Sequence, residues 1–326
     1  MIELLISMVI GLTLSAGIIE VYVGSNQSDR IQQARSAMQE NGHFALNFLI
    51  TNIRMAGYLG CLSSIDESSI NNTLNNPPAS FNPELGIQGW EASQGNGTAP
   101  GIAHNSVNNL AVADTDDGGW VSRKSSGSAN GLDSMNVIPG TDIVKLWSVS
   151  GRRGTISRIF KSGTNTVIES NLDSLSDGDI LLLSDCDQAD WVQACAMHGI
   201  GGGRSNAILS VQCNPGNLVA LPLHTSVGGE IVKLNSTMFY IGKRGNVATN
   251  PPALFRRQLT STAGMGAGEE LAEGIENMQI VYGINSDKDN RNTVDAYLTA
   301  NQIADWHGVI SARVTLLVQS IQDHLL

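Results

Sequence analysis

One long helical signal opens the chain, and its two halves are lettered differently. From Leu4 to Val23 the sequence is apolar apart from Ser7, Thr13, Ser15 and Glu20, with Glu3 just ahead of the run. A 20-residue stretch of this kind spans about 30 Å as a helix, the thickness of a bilayer's hydrocarbon core. The polar patch at 24–28 contains no proline, so it need not end the helix. Beyond it, apolar residues fall at Ile31, Ala34, Met38, Ala45, Phe48, Leu49, Ile53 and Ala56, the three-and-four spacing of one helix face. The pattern predicts a single helix from near residue 2 to about residue 56, about 80 Å long, with any bend near Gly24. Residues 1–24 form its membrane-length half and residues 25–60 its amphipathic half.

A cleaved secretory signal fits this poorly. There is no basic region before the apolar run, the run exceeds the usual length of about 7 to 15 residues, and helical periodicity continues past any cleavage point. A plain membrane anchor accounts for the apolar half but leaves two features unexplained, the carboxylate of Glu3 at its edge and the amphipathic continuation. A carboxylate in an apolar helix is costly unless paired, so Glu3 points to a partner.

The text IELLISMVIGL from Ile2, followed by QENGHFALNFLITNIRMAGYLGC from Gln39 to Cys61, resembles the type IV pilins, and among them the minor pilins of the PilW family. The resemblance resumes in DGDILLLSDC (Asp177 to Cys186), GIENMQIVYGI (Gly274 to Ile284) and TANQIADWHGVISARVTLLV (Thr299 to Val318), in the family's order. In that family a Gly, then a Phe, then a short apolar stretch ending in Glu mark the processed, methylated end. The present sequence begins with Met1 inside that stretch, so peptidase processing is an expectation from the resemblance.

The resemblance implies a pilin-like α+β fold, with the long helix packed on an antiparallel β-sheet domain. It also implies that Glu3 registers subunits by pairing with the N-terminal amine of a neighbour. Opposite charges in a low-dielectric bundle lower each other's burial cost, and a misregistered subunit leaves both unpaired. The implied partners are other minor pilins of the FimU, PilV, PilX and PilE types, a PilY-type tip adhesin, the major pilin and the inner membrane. Together they would prime pilus assembly for twitching motility, adhesion and DNA uptake, with the globular domain periplasmic before assembly and at the pilus tip afterwards. The alternatives are a J-type pseudopilin of type II secretion, which is similar in plan, and a membrane-tethered periplasmic binding protein or hydrolase. The last would show converging polar groups in a pocket and a helix without specific contacts.

Residues 61–326 are expected to form one β-rich domain. Aromatic residues make up 5% of the chain and it has 35 glycines, which favours turns and a loop-rich β architecture. Nearly all of the net charge of −11 lies beyond residue 60, with no basic stripe to neutralise phosphates, so direct nucleic-acid binding is not expected. Residues 62–135 are rich in Asn, Ser, Gly and Pro and read as a loop-rich insertion, with Trp90 and Trp120 available to pin it. Strand signals follow at 142–149, 165–170, 179–185, 206–212, 229–242, 253–259, 276–284 and 309–320. Met278, Ile280, Tyr282 and Ile284 alternate, as do Ile310, Ala312, Val314, Leu316 and Val318, so each set should face a core that includes the amphipathic half-helix.

Cys61, Cys186, Cys195 and Cys213 are an even number in a region expected to be periplasmic, where disulfides persist. Three pairings are possible and the sequence selects none; the local option is Cys186 with Cys195, leaving Cys61 with Cys213. A zinc site from Cys186, Cys195, His198 and Cys213 has suitable atoms but lacks a tight Cys-x-x-Cys spacing. Asn285, Asp287, Asp289 and Asp295 approximate the alternate ligands of a calcium loop. Asn285 stands where a more acidic version has Asp, Asn290 replaces the turn Gly, and Arg291 adds positive charge. A polar hairpin loop explains the same string.

No enzyme constellation is visible. The run GIGGGR, Gly199 to Arg204, lacks the Lys-Ser/Thr ending of a phosphate-binding loop and reads as a turn. His43, His104, His198, His224, His307 and His324 are scattered, without a His-x-x-x-His pair.

Overall fold

The computed structural model describes residues 2–62, 69–77, 81–90, 93–94, 105–106, 137–138, 140–173, 175–201, 204–219, 222–247, 249–260, 265–285 and 293–321. The predicted helix forms without interruption as α1, Ile2–Arg54, and runs straight through the polar patch and Gly24. Over its first half every residue is exposed among the described residues. The amphipathic half buries Ala34, Ala45 and Leu49, three residues of the predicted face, together with Gly42.

The body is β-structure. After the helix come β1 (Ile70–Asn72), β2 (Ile87–Trp90) and the two-residue pair β3 (Ser93–Gln94) and β4 (Asn105–Ser106). Next are β5 (Ile143–Ser162), β6 (Asn165–Ser170), β7 (Ile180–Ser184), β8 (Ala189–Gln193), β9 (Ala196–Gly201) and β10 (Arg204–Leu209). The chain then forms β11 (Glu230–Lys243), β12 (Pro252–Gln258), β13 (Glu269–Glu273), β14 (Ile275–Ile284), β15 (Ala296–Leu298) and β16 (Val309–Val318).

The main sheet has 11 strands in a path β1-β8-β7-β11-β5-β6-β10-β9, with β12 and β13 branching from β11 and β2 from β5. Its pairs are antiparallel except β1 with β8, which is parallel. A second sheet, β15-β14-β16, lies under the helix. The result is the expected α+β arrangement of one long helix on antiparallel-rich sheets.

Four departures from the sequence reading have local causes. Strand β5 does not stop at 149 but continues through GRRG to Ser162. Gly154 is needed there because a Cβ would meet the Leu172 backbone nitrogen at 2.8 Å, so the glycine marks close approach and not a turn. In β16, Ile310 is exposed while Val309 packs on the core. The pairing slips from Gly283↔Ser311 to Ile284↔Val309, and such an irregularity turns the strand's end over. Within the loop-rich 62–135 segment, β1 and β2 join the main sheet, and Trp90 is 1% exposed in a core with Ile143, Met238 and Tyr240. Trp120 lies outside the described residues. Of GIGGGR, Gly199 to Gly201 belong to β9 and Arg204 opens β10, which pairs with β9, while Gly202 and Gly203 lie outside the described residues.

The fourth departure concerns the cysteines. The bridges are Cys61–Cys186 and Cys195–Cys213, and the local pair Cys186–Cys195 does not form. Cys186 sits in the turn before β8 and Cys195 beyond its end. An extended five-residue strand at about 3.3 Å per residue carries the two sulfurs to opposite ends of the hairpin, far beyond bonding reach. Both bridges engage the thiolates that the zinc reading required.

Burial is strongest where the aromatic residues meet. Phe81 packs edge-on to Trp147 and Trp191, at 5.3 and 6.4 Å between centroids. Tyr240 stacks on Phe255 at 5.5 Å, and burial pushes its phenol from 10.0 up to about 12. Burial lowers the neighbouring Arg257, opposed by its electrostatic attraction to the Tyr240 oxygen.

Candidate functional site

The free half of α1 carries most of the exposed large apolar side chains among the described residues. Its best 18-residue window has mean hydropathy 2.2 with none of it buried, and the large apolar side chains from Ile2 to Val23 all lie exposed. Two hydroxyls within it, those of Ser7 and Thr13, bond back to the helix's own carbonyls. Thr13 Oγ1 donates to the carbonyls of Val9 and Ile10 at 3.1 and 2.9 Å, and Ser7 Oγ donates to Glu3 O. Hydroxyls satisfied within the helix can be carried into an apolar medium, where an unpaired polar group would cost several kcal/mol. Glu3 lies in the first turn, where the helix dipole favours a negative charge. Around Gly17, which carries no side chain, the helix surface has a shallow open groove flanked by Thr13, Leu14, Ile18 and Val21.

The amphipathic half is fixed by shape as well as by apolar burial. Ala45 and Leu49 are fully buried in a core shared with Val144, Phe239, Ile241, Leu254, Ile275 and Met278. At Gly42 the helix comes so close to β16 that a Cβ would stand 3.2 Å from Val318 Cγ2. Asn41 Nδ2 donates to the Glu273 carbonyl at 3.2 Å. Phe48 meets Phe239 edge-on at 5.9 Å, with the Arg256 guanidinium 5.4 Å from the Phe48 ring centre.

The segment from Met55 to Cys61 joins the helix to the main sheet. Gly57 N–H donates to the Trp147 carbonyl at 2.8 Å, and the Val149 N–H donates to Tyr58 O at 3.0 Å, so the exit runs along β5. Glu230, at the start of β11, accepts from the Cys61 N–H at 2.9 Å and pairs with Arg153 at 3.3 Å. Arg153 also donates to the Tyr58 hydroxyl at 2.6 Å. Gly60 has φ +75°, and a Cβ there would sit 2.6 Å from the Glu230 carboxylate. The AGYLGC text is therefore a clasp: two glycines for the path, a tyrosine and a cysteine for the fastenings. Sequence reading singled out Cys61 but not Glu230 or Arg153, because their role depends on a contact about 100 or more residues away.

Beside this clasp lies a cleft of about 530 Å³ lined by Cys61, Arg153, Ser184, Cys186 and Glu230 among others. Its backbone amides are engaged: Gly228 N–H donates to Ile156 O, and Ile156 N–H to Gly229 O, both at 2.8 Å.

Of the calcium-loop residues, Asn285 is buried and Asp295 is described, whereas Asp287, Asp289, Asn290 and Arg291 lie outside the described residues. Among the described residues no group of three or more His, Cys, Asp or Glu side chains is placed to hold a metal. His307 Nδ1 is 2.9 Å from Asp305 Oδ1, a contact within the turn before β16. His224 lies 3.8 Å from Asp190, whose buried carboxylate accepts from Thr225 N–H, Thr225 Oγ1 and Asn71 Nδ2. Asp190 in β8 thus ties the 224–225 loop and Asn71 of β1 to the sheet.

Among curated proteins and among solved structures, none matches this chain. A family model does match, over residues 238–325, described as PilW, type IV pilus-assembly protein W. The matched stretch runs from mid-β11 through β16 and contains most of the surface on which α1 docks, including Phe239, Leu254, Ile275, Met278 and Val318. It includes the Gly274–Ile284 and Thr299–Val318 segments that carried the resemblance. The match covers 88 of the 326 residues, and the membrane-length helix is seated on the matched strands.

Proposed function

We propose that the chain is a minor pilin. Its apolar half-helix anchors it in the inner membrane with the β domain in the periplasm, and the same half-helix later packs among sister helices in the filament, at its tip. The observation that carries this reading is the continuity of α1: one 53-residue rod, fully exposed over the first half and seated on the body over the second. A rod of this kind is stable in lipid and offers the same surface to other helices. The partners proposed are minor pilins of the FimU, PilV, PilX and PilE types, a PilY-type tip adhesin and the major pilin. The complex would prime assembly and serve twitching motility and adhesion. The role is structural and non-enzymatic.

Affinity capture of the full chain from detergent-solubilised membranes tests the reading. Co-recovery of the minor pilins, with loss of surface pili on deletion of the gene, is expected. Recovery of type II secretion components instead would favour the pseudopilin alternative, and recovery of neither would overturn assembly as the function.

Glu3 is proposed as the registration charge, pairing with the terminal amine of a neighbouring subunit. Glu3→Ala is expected to leave the β domain folded and to reduce both co-assembly and pilus number at least several-fold. Undiminished pilus number with normal co-assembly would remove that role.

A further inference from the structure

The two disulfides occupy unlike surroundings. Cys195 and Cys213 are both half-buried, with Cys195 Sγ 3.1 Å from Ser210 O and Cys213 Sγ 3.2 Å from Gln193 Oε1. Gln193 is itself fully buried and tied to Gly178, Asn214 and Asn217. Cys186, by contrast, is exposed in the β7–β8 turn, and it lines the 530 Å³ cleft together with Cys61. Its φ of +76° puts a non-glycine residue in the left-handed region, a conformation that persists only where surrounding contacts enforce it. Those contacts are the bridge to Cys61, the Ser184 Oγ that accepts from Cys186 N–H at 3.0 Å, and the Asp185 carboxylate that accepts from Asp187 and Gln188 N–H.

The position of this bridge in the fold gives it a consequence the other lacks. Cys61–Cys186 spans 125 residues and closes the end of the helix onto the main sheet, whereas Cys195–Cys213 spans 18 residues within the body. We propose that Cys61–Cys186 is a redox latch: a dithiol opens it from the cleft ahead of Cys195–Cys213, releasing the helix-to-sheet connection while the sheets stay folded.

The chemistry balances as thiol–disulfide exchange. A reductant thiolate attacks Cys186 Sγ, the exposed sulfur; the S–S bond breaks and Cys61 departs as a thiolate that takes up a proton. The reductant's second thiol then attacks the mixed disulfide, freeing Cys186 as a thiol and leaving the reductant oxidised to its own disulfide by two electrons. In the closed form Glu230 accepts from the Cys61 N–H and Arg153 donates to Tyr58, and re-forming these contacts brings Cys61 back to Cys186 when an oxidising disulfide takes the two electrons from the dithiol and is itself reduced to thiols. Opening is therefore local and reversible.

The test uses the full chain in detergent micelles with graded dithiothreitol, quenched by alkylation, each cysteine being followed by peptide mass spectrometry. Labelling of Cys61 and Cys186 at least tenfold faster than Cys195 and Cys213 is expected. Equal rates, or the reverse order, would overturn the latch. Hydrogen exchange on the selectively opened protein reads the consequence: amides of 57–61 should exchange at least tenfold faster while those of β7 and β8 keep their protection. Unchanged protection at 57–61, or loss of protection throughout β7 and β8, would show that the bridge is not a local latch.

Discussion

The two halves of α1 share one backbone and differ in what covers them. Residues 2–23 present large apolar side chains to nothing, and residues 34–49 present small or well-fitted ones to a sheet. The exposed half is the more hydrophobic, and the docked half does the structural work. Hydrophobicity alone therefore does not decide which part of a helix packs inside its own chain. What decides it is shape: Gly42 lets the docked half come close to Val318 of β16, and Ala45 and Leu49 pack into the core beneath it. The exposed half has bulk on every side, which suits lipid or a ring of other helices.

The strongest way to break the comparison is to make matched truncations in both halves. Leu49 is fully buried, so Leu49→Ala is expected to cost about 2 to 5 kcal/mol of body stability by lost transfer and cavity formation. Leu12, 63% exposed, should give no measurable change when truncated in the same way. Urea denaturation in detergent, followed by tryptophan fluorescence of the β domain, measures both. Equal effects would mean that the free half contributes to the body and that the two halves are not distinct.

A smaller effect is expected from adding bulk. At Gly42 even a first carbon meets Val318 Cγ2 at 3.2 Å, so Gly42→Val should destabilise the dock by about 1 to 3 kcal/mol through overpacking. A Cβ at Gly17 meets nothing within 4 Å in the isolated chain. Gly17→Val should leave the same urea midpoint unchanged and weaken co-assembly with partner helices, read by affinity capture. If Gly17→Val assembles normally, the groove at Thr13 to Val21 is not a helix contact.

The helix was legible because its signals are local: composition over twenty residues and periodicity over thirty. The strands at 165–170, 179–185, 253–259 and 276–284 were legible for the same reason, since β-branched alternation is read over a few residues. What escaped depends on distant partners. The strand signal at 142–149 stops short of GRRG, whose place in β5 shows only when Leu172 is seen against Gly154, and Ile310 looks inward until the slip opposite Ile284 is known. The disulfide pairing was hidden by strand direction, because β8 carries Cys195 away from Cys186. The clasp was half legible: Tyr58, Gly60 and Cys61 stood in the text that resembles the family, whereas Glu230 and Arg153 became visible only in the contact.

Asn41 offers a finer separation of shape from polarity within the docked half. Its amide donates to the Glu273 carbonyl, and the net value of one such neutral hydrogen bond is about 1 kcal/mol. Asn41→Ala should lower body stability by about that amount, well below Leu49→Ala. A larger loss would mean that polar contacts, not fit, hold the helix.

The smallest effect concerns the far face of the strand that receives the helix. Phe239 points into the core under α1, while Tyr240, the next residue, points into the opposite core with Trp90 and Phe255. The Tyr240 phenol is raised from 10.0 to about 12 by burial, so it stays neutral in the folded state where the unfolded chain would ionise. A folded value above the unfolded one gives stability that is complete below pH 10 and is lost as pH rises from 10 towards 12. The loss from this group should reach about 1 kcal/mol by pH 11. Tyr240→Phe removes the group, so its stability should fall less between pH 9 and pH 11 than that of the unmodified chain, in urea titrations at each pH. Because Tyr240 faces away from α1, hydrogen exchange of the docked segment 41–49 should change no more than the body as a whole. Selective exposure of that segment at pH 11 would show that the two faces of β11 are coupled and that the dock is not set by fit at Gly42 and Leu49 alone.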